Sequence, residues 1–146
     1  MIQRSPSVMA SLQLRLMVPG TAALPIQADL RYDASDPYAV SITFHTGSQS
    51  PSDVVQWIFA RTLLSEGVLA PCGEGDVQVW PSTNGGQQVV CLSLSSPSGR
   101  ALFEVAQNDL TSFLLDTFTA VPIGSEGNHV DVEGELTLLL WAEPET

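Results

Sequence analysis

The sequence predicts an α+β fold built from two antiparallel β-sheets, each formed by a meander of strands and followed by a helix. Three observations lead to this prediction: runs in which apolar and polar residues alternate, turn-forming segments between those runs, and a change to helical spacing after Asn108. A chain of 146 residues, 44% of them hydrophobic, is long enough for one domain with its own core. We expect a single domain over residues 8–141, with flexible termini at residues 1–7 and 142–146.

In the first half of the chain, strand-like runs are separated by segments rich in Asp, Ser, Pro and Gly. Residues 12–18 place leucines at alternate positions, with Gln13 and Arg15 between them, which predicts a strand with one buried face. Similar runs predict strands over residues 26–32, 39–46 and 54–60. The connections DASDPY and GSQSPSD favour turns. A short helix is expected over residues 61–66, ended by Gly67.

The second half repeats this order of strands and then a helix. The segment PCGEG is predicted to form a turn, and strands are expected over residues 77–81, 89–94 and 101–105. From Asn108 onward the apolar residues fall on one helical stripe, which contains Leu110, Phe113, Leu114, Thr117, Phe118 and Val121. Asn108 or Asp109 is expected to cap this helix, and Pro122 and Gly124 are expected to end it.

A further helix is predicted to begin at Asp131. Its apolar stripe contains Val132, Leu136, Leu139 and Leu140. Gly134 disfavours this helix by about 1 kcal/mol relative to alanine, so the helix is expected to depend on packing against other elements. Residues 138–141 are apolar on all sides, which indicates a second contact surface, either within the domain or on another subunit.

The charge of the chain argues against nucleic-acid binding. The chain contains sixteen acidic residues, five arginines and no lysine, which gives a net charge of -11. Phosphate backbones are bound mainly through clusters of basic side chains, and the arginines here are scattered along the sequence. We expect no nucleic-acid partner.

The two cysteines, Cys72 and Cys91, form neither a CxxC pair nor a cluster with histidine. This spacing predicts no zinc site and favours two free thiols in a reducing cytoplasm, with a single disulfide as the alternative. The amino terminus lacks the charged and apolar regions of a signal peptide, and no apolar run reaches the length of a membrane span. We expect a soluble cytoplasmic protein without direct membrane insertion.

No catalytic motif accompanies the residues that usually carry chemistry. His45 and His129 lie outside any HExxH, HxH or Cys-His spacing. The serine-rich segments lack GxSxG, and the glycine-rich segments lack both the Walker lysine and GxGxxG. The sixteen carboxylates allow a glycosidase-like pair, but a solvated acidic surface explains them without such a site. We expect no enzymatic activity, cofactor or metal.

The tryptophans are candidates for protein contact, because large aromatic side chains often anchor interfaces, and core packing is the alternative. Trp57 and Phe59 share one face of a predicted strand, which favours a core position for both. Trp80 shares a face with the polar Gln78, which favours a surface or subunit contact.

Six segments of the chain form a recognisable series: LRYDASDPYAVSITFHTG, VQWIFARTLLSEGVL, GEGDVQVWPS, CLSLSSPSGRALFEV, DLTSFLLDTFTAVPIGSE and DVEGELTLLL. In order and spacing this series resembles the SsgA-like family of actinobacterial proteins. The resemblance covers roughly residues 12–140, and the sequences LRYD, DPYAV, TFHTG and FAR are typical of one subgroup.

The resemblance implies a non-enzymatic regulator of sporulation-specific cell division. Such a protein localises the septum by recruiting the tubulin-like protein FtsZ and promoting its assembly, together with an SsgA-type family member and other divisome components. The resemblance also implies a fold similar to that of the Whirly and guide-RNA-binding proteins, assembled as a homotrimer. Two alternatives remain open: a single-stranded nucleic-acid-binding regulator with this fold, and a small-molecule-binding barrel or enzyme.

The resemblance supplies no catalytic residue and no short binding motif. We predict protein contacts at Arg31, Asp33, Trp80, Leu138, Leu139 and Trp141. The structural alternatives are a local ion pair for Arg31 and Asp33, and core packing for the apolar residues.

Overall fold

The computed structural model describes residues 6–45 and 54–129. The first half contains β1 (Ser7–Leu16), β2 (Leu24–Asp33), β3 (Ala39–His45), β4 (Val54–Ala60) and α1 (Arg61–Gly67). The second half contains β5 (Cys72–Glu74), β6 (Val77–Asn84), β7 (Gln87–Ser96), β8 (Gly99–Ala106), α2 (Gln107–Ala120) and a short 3-10 helix (Glu126–His129). The order of strands, helix, strands and helix agrees with the sequence prediction.

The eight strands form one sheet in the order β4-β3-β2-β1-β8-β7-β6-β5, and every pairing is antiparallel. The prediction of two separate sheets is therefore wrong. The two meanders meet where Arg15 pairs with Glu104 and Leu16 with Phe103, and the Met17 amide donates to the Leu102 carbonyl at 2.9 Å. Strand periodicity identifies the buried face of each strand, but it carries no information about so short a junction between distant residues. Within the described residues the result is an antiparallel half-barrel with two α-helices.

Three other local predictions differ from the structure. β1 starts at Ser7 and ends at Leu16, because β2 offers it a continuous partner from Ser7 opposite Asp33 to Leu16 opposite Leu24. Part of PCGEG forms the short edge strand β5 instead of a turn only. No side chain caps α2, since its N-cap position falls on Ala106, the last residue of β8. The predicted helix from Asp131 onward lies outside the described residues.

Both helices pack on the same face of the sheet and form one core with it. α2 contributes Leu110, Phe113 and Leu114, and α1 contributes Leu64. These side chains meet the inward-facing residues of seven strands: Leu14, Ala28, Leu30, Tyr32, Val40, Ile42, Phe44, Phe59, Val79, Val90, Leu92, Leu94, Phe103 and Val105. The predicted stripe of α2 is confirmed, since all of its residues are buried or half-buried. The opposite face of the sheet, which we call the outer face, carries the residues of the other strand parity.

Candidate functional site

The outer face holds a polar network around His45. The Ser11 hydroxyl donates to Asp29 Oδ1 at 2.6 Å, and His45 Nε2 lies 2.8 Å from Asp29 Oδ2. These hydrogen bonds lower the pKa of Asp29, that from Ser11 most strongly. Because the carboxylate lies between the hydroxyl and the imidazole, His45 has no contact through which it would activate Ser11 as a nucleophile. The network joins three neighbouring strands without forming a catalytic arrangement.

Within residues 6–45 and 54–129, no three His, Cys, Asp or Glu side chains come together as a metal site would require. None of the helices in these residues has the length and apolar character needed to cross a membrane.

Trp80 lies half-buried on the outer face, directly opposite Cys91 of the neighbouring strand. The register continues across the sheet to Glu104 and then to Arg15. An indole at this position has one side against the sheet and another available to a partner, which is the geometry expected of an interface anchor.

A polar bridge lies beside Trp80, where the two meanders join. Arg15 Nη2 donates to Glu104 Oε1 at 2.7 Å, and Asn84 Nδ2 donates to the same oxygen at 2.9 Å. Since β7 lies between β6 and β8, the bond from Asn84 to Glu104 passes over β7. In the strand register Asn84 is level with Gln87 and Glu104 with Cys91, so the bond spans the level of Val89, while Cys91 lies between Trp80 and Glu104. Val89 and Cys91 are both buried although they face away from the main core.

Arg31 and Asp33 lie at the end of β2, where the structure gives them different surroundings. Asp33 Oδ1 accepts hydrogen bonds from the Ser35 amide at 3.0 Å and the Ser35 hydroxyl at 2.8 Å, and the pKa of Asp33 is lowered mainly by the amide bond. Arg31 Nη2 is 3.8 Å from Asp33 Oδ2 and its side chain is 60% exposed. Asp33 therefore holds the following turn, whereas Arg31 is accessible to a partner.

Arg61 is buried at the first position of α1 and binds three acceptors. Nη1 donates to the carbonyl oxygens of Thr117 at 3.1 Å and Val121 at 2.8 Å, and Nη2 donates to Glu126 Oε2 at 2.8 Å. The guanidinium also lies between two rings, 4.8 Å from the centre of Tyr32 and 4.4 Å from that of Phe118. This cluster joins β2, α1, the end of α2 and the 3-10 helix.

An apolar groove opens beside the core, between β4 and the β7–β8 hairpin, with a volume of about 340 Å³. Its lining residues are Leu16, Ile26, Phe44, Val55, Trp57, Leu94, Ser96, Ser98, Gly99, Arg100, Ala101 and Phe103. Phe44 and Phe103, from the two meanders, stack in it with ring centres 4.4 Å apart. The prediction that Trp57 and Phe59 share the core side is confirmed, since Trp57 packs against the core and Phe59 is buried in it.

The structure does not bring the predicted contact residues into one site. Trp80 and Arg31 both face outward, but four strand spacings separate β6 from β2. Leu138, Leu139 and Trp141 lie outside the described residues. Trp80 and Arg31, the predicted contact residues at the surface of the described part of the chain, therefore lie apart.

Comparison with known proteins assigns the chain to a family. Residues 26–126 match the family model described as "Streptomyces sporulation and cell division protein, SsgA". The chain belongs to the SsgA family.

Individual SsgA-family relatives agree with this assignment. The chain is 53% identical over 142 residues to the sporulation-specific cell division protein SsgB of Frankia casuarinae, covering 97% of both chains. It is 52% identical over 134 residues to SsgB of Streptomyces coelicolor, covering 92% of this chain and 96% of the relative. The subgroup indicated by LRYD, DPYAV, TFHTG and FAR is therefore the one that contains SsgB.

Two solved structures share the SsgA-family fold. One, from work on SsgB and longitudinal cell division during sporulation of Streptomyces coelicolor, matches with a TM-score of 0.82 and 51% identity, covering 88% of this chain and 98% of that one. The other is an SsgA-like sporulation-specific cell division protein from Thermobifida fusca, with a TM-score of 0.82 and 39% identity over 94% of this chain and 98% of that one. A role in sporulation-linked cell division follows from these names, none of which denotes an enzyme family.

Sequence reasoning missed two features of this SsgA-family chain. Arg61 follows the apolar run WIFA and precedes TLL, and a charged residue inside so apolar a segment is a signal for a buried, paired side chain. The groove had no such signal, because its two walls come from distant strands that meet only in the folded sheet.

Proposed function

We propose that this chain directs sporulation-specific septation by recruiting FtsZ to the septum and promoting its assembly, in the cytoplasm and with other divisome components, including an SsgA-type family member. The observation that carries the proposal is the 53% identity, over 97% of both chains, to a protein named sporulation-specific cell division protein SsgB. Such extended similarity favours a shared role far more strongly than a short motif would.

The protein acts by contact with other proteins and not by catalysis. Its polar clusters support this proposal, because each pairs donors with acceptors in a way that holds strands or helix ends together. The Arg61 side chain is buried and bound to groups of its own chain, and Asp29 lies between Ser11 and His45. Neither cluster leaves a reactive atom facing an open cleft.

Trp80 is the proposed anchor of one contact, and Arg31 is the proposed charged contact of another. Tryptophan and arginine are the residue types most enriched among side chains that dominate binding energy. Trp80 is half-buried on a rigid strand, so it loses little conformational entropy when a partner covers it. Arg31 is exposed, and in a chain of net charge -11 it offers a local positive contact to an acidic partner residue.

We further propose that the chain forms a homotrimer through the exposed edge of its sheet. β4 and β5 are the edge strands within the described residues, and β4 is the longer one with seven residues. β4 exposes Val55 and Ile58, the latter at 66%. Unpaired edges with apolar side chains are normally covered, and a neighbouring subunit on β4 would cover both residues.

Co-sedimentation with polymerising FtsZ from the same organism tests the recruitment proposal. We expect the full chain to pellet with the polymers, and W80A and R31A each to weaken recruitment, by about 10-fold for W80A as expected for an anchor residue. Q78A is the matched control, because Gln78 is exposed on the same face of the same strand as Trp80 and should leave recruitment unchanged.

The possible outcomes separate the function from the contact residues. Recruitment that survives both substitutions would reject Trp80 and Arg31 as contacts while keeping the recruitment function. Absence of recruitment by the unmodified chain, with tight binding to single-stranded DNA at low salt, would replace the proposal with the nucleic-acid alternative. Sedimentation equilibrium of the same samples measures whether the chain is a trimer.

A further inference from the structure

The apolar groove opens at one end of the half-barrel. Most of its lining residues lie near the ends of β1, β3 and β7 and the starts of β2, β4 and β8. α1 follows the opposite end of β4, α2 follows the opposite end of β8, and neither helix contributes a residue to the groove. Sites for small ligands are common at the mouths of β-barrels, with volumes of about 300–1,000 Å³. The groove, at about 340 Å³, has the size of such a site.

The polar side chains of the groove lie together on one side. Ser96, Ser98 and Arg100 all come from the turn between β7 and β8 and the strand residues beside it. The other lining side chains are apolar apart from one indole, and they include the stacked rings of Phe44 and Phe103. A peptide bound here would place backbone amides against apolar side chains, which costs free energy. A ligand with one polar head group and one apolar chain fits this distribution better.

Arg100 places an available positive charge on the polar side of the groove. The residue is exposed, and its Nε lies 3.4 Å from the Ser95 hydroxyl. Every other arginine within residues 6–45 and 54–129 is paired with a carboxylate, whereas Arg100 has neither such a pair nor an acceptor for Nη1 and Nη2 among these residues. Guanidinium groups bind carboxylates through two parallel hydrogen bonds. The hydroxyl oxygens of Ser96 and Ser98, 3.0 Å apart, add further donors for an anionic head group.

We propose that the groove binds a free linear fatty acid, whose carboxylate contacts Arg100 and whose acyl chain lies over Phe44 and Phe103. The end of the acyl chain is then expected beside Trp57, on the wall that β4 forms. This site goes beyond the proposed recruitment of a protein partner, because the contact residues proposed for that role lie on the outer face of the sheet.

Tryptophan fluorescence of the full chain tests the position of the ligand. The probe is ω-bromododecanoate, used below the concentration at which it forms micelles, because its terminal bromine quenches only a tryptophan that it contacts. We expect saturable quenching that W57F abolishes and that W80F, the matched control, retains, since Trp80 lies on the outer face. The absence of saturable quenching, or quenching that survives in W57F, would overturn the proposal.

Displacement of the probe tests the acyl chain and the head group separately. We expect dodecanoate to bind at least about tenfold more tightly than octanoate, because each additional buried methylene strengthens binding by up to about fourfold. R100M should weaken the binding of dodecanoate about fivefold and leave that of dodecanol unchanged, since only the carboxylate loses its partner. R31M is the matched control, because it removes the same charge from an exposed side chain on the outer face, and it should change neither affinity.

Two results of the displacement experiment would contradict the proposal. Equal affinity of dodecanoate for R100M, R31M and the parent would reject Arg100 as the contact of the head group. Binding of the chain to phosphatidylglycerol vesicles, without displacement of the probe by dodecanoate, would identify a membrane lipid as the ligand instead of a free fatty acid. Urea unfolding confirms that each variant is folded, and the exposed position of Arg100 keeps this test available even if W57F is unstable.

Discussion

Arg61 Nη2 donates a hydrogen bond to Glu126 Oε2 at 2.8 Å, and the Arg61 side chain is only 1% exposed. The two residues are 65 positions apart in the sequence. Arg61 begins the helix that ends the first meander, and Glu126 begins the 3-10 helix that follows α2. Their contact, with the bonds from Arg61 to the end of α2, fixes the two helical connections of the half-barrel to each other.

The first prediction concerns the stability that Arg61 supplies. We expect R61M to lower the free energy of unfolding by about 3 kcal/mol, because the Val121 carbonyl and the Glu126 carboxylate lose the donor that Arg61 supplies, and the Thr117 carbonyl keeps only the Val121 amide. R31M removes the same charge from an exposed side chain and should change stability by less than about 0.5 kcal/mol. Urea unfolding at pH 7 measures both, and equal losses in the two variants would contradict a special role for Arg61.

The second prediction concerns the pH dependence that Glu126 contributes. Hydrogen bonds from its own backbone amide, the Arg61 guanidinium and the Gly124 amide lower the pKa of Glu126 below its usual 4.5. A lowered pKa in the folded state contributes stability above the usual pKa, and this contribution is lost as the pH falls through the lowered value. We expect E126Q to lose less stability than the parent between about pH 5 and pH 3.

Urea unfolding midpoints across that pH range test the role of Glu126. Asp29 and Asp33 also have lowered pKa values. The loss of stability with falling pH should therefore be smaller in E126Q than in the parent, but it should not disappear. Parent and E126Q curves that remain parallel down to pH 3 would show that Glu126 contributes nothing to acid sensitivity.

The third prediction concerns the close approach of α1 to β6 at Gly67. A Cβ atom at Gly67 would overlap the side chain of Val79, which is fully buried, and would lie 3.2 Å from its carbonyl oxygen. We expect G67A to lower the free energy of unfolding by about 1–3 kcal/mol, since the core has to shift to admit the methyl group. G127A is the matched control, because a Cβ there meets no atom within 4 Å. Thermal unfolding of the two variants measures the difference. If G67A is as stable as the parent, α1 can move away from Val79 without cost, and the prediction is wrong.

Gly67 also illustrates how far the sequence predicts this fold. The sequence predicted that Gly67 ends α1, and the structure adds that only glycine fits beside Val79. The alternation of apolar and polar residues and the helical spacing correctly predicted most strands, both described helices and the buried stripe of α2. These patterns can be read from the sequence because they depend on residues that are close together along the chain.

The junction between the meanders is a different kind of feature. Arg15 and Glu104 are 89 positions apart, and their pairing determines that there is one sheet with a groove along it. No local sequence pattern shows whether β1 and β8 pair with each other or whether each is an unpaired edge strand of its own meander. The outer-face position of Trp80 needed only strand parity, whereas the position of Cys91 between Trp80 and Glu104 depends on the pairing of β7 with both of its neighbouring strands.

The last prediction concerns the two thiols. Cys72 and Cys91 are both free, and they lie on strands that flank β6, about 10 Å apart at the usual spacing of strands. A disulfide needs Cα atoms within about 7 Å, so the disulfide alternative is excluded in the folded chain. The Cys72 thiol donates to Glu66 Oε1 on the helix side of the sheet, while Cys91 faces the outer side. Burial raises the pKa of both thiols, and nearby Glu66 and Glu104 raise those of Cys72 and Cys91 further.

Reaction with 5,5′-dithiobis(2-nitrobenzoate) should therefore show two separate phases. Half-buried Cys72 reacts in the native protein, and Cys91 reacts at least about 100-fold more slowly, since the reagent reaches it only when the sheet opens locally. C72A should lose the fast phase and C91A should retain it. Two thiols per chain in denaturant without a reducing agent would agree with the structure, whereas none would indicate a disulfide that the sheet geometry forbids. A fast phase that survives in C72A would mean that the reagent reaches Cys91 in the native protein, which would contradict the burial of this thiol between Trp80 and Glu104.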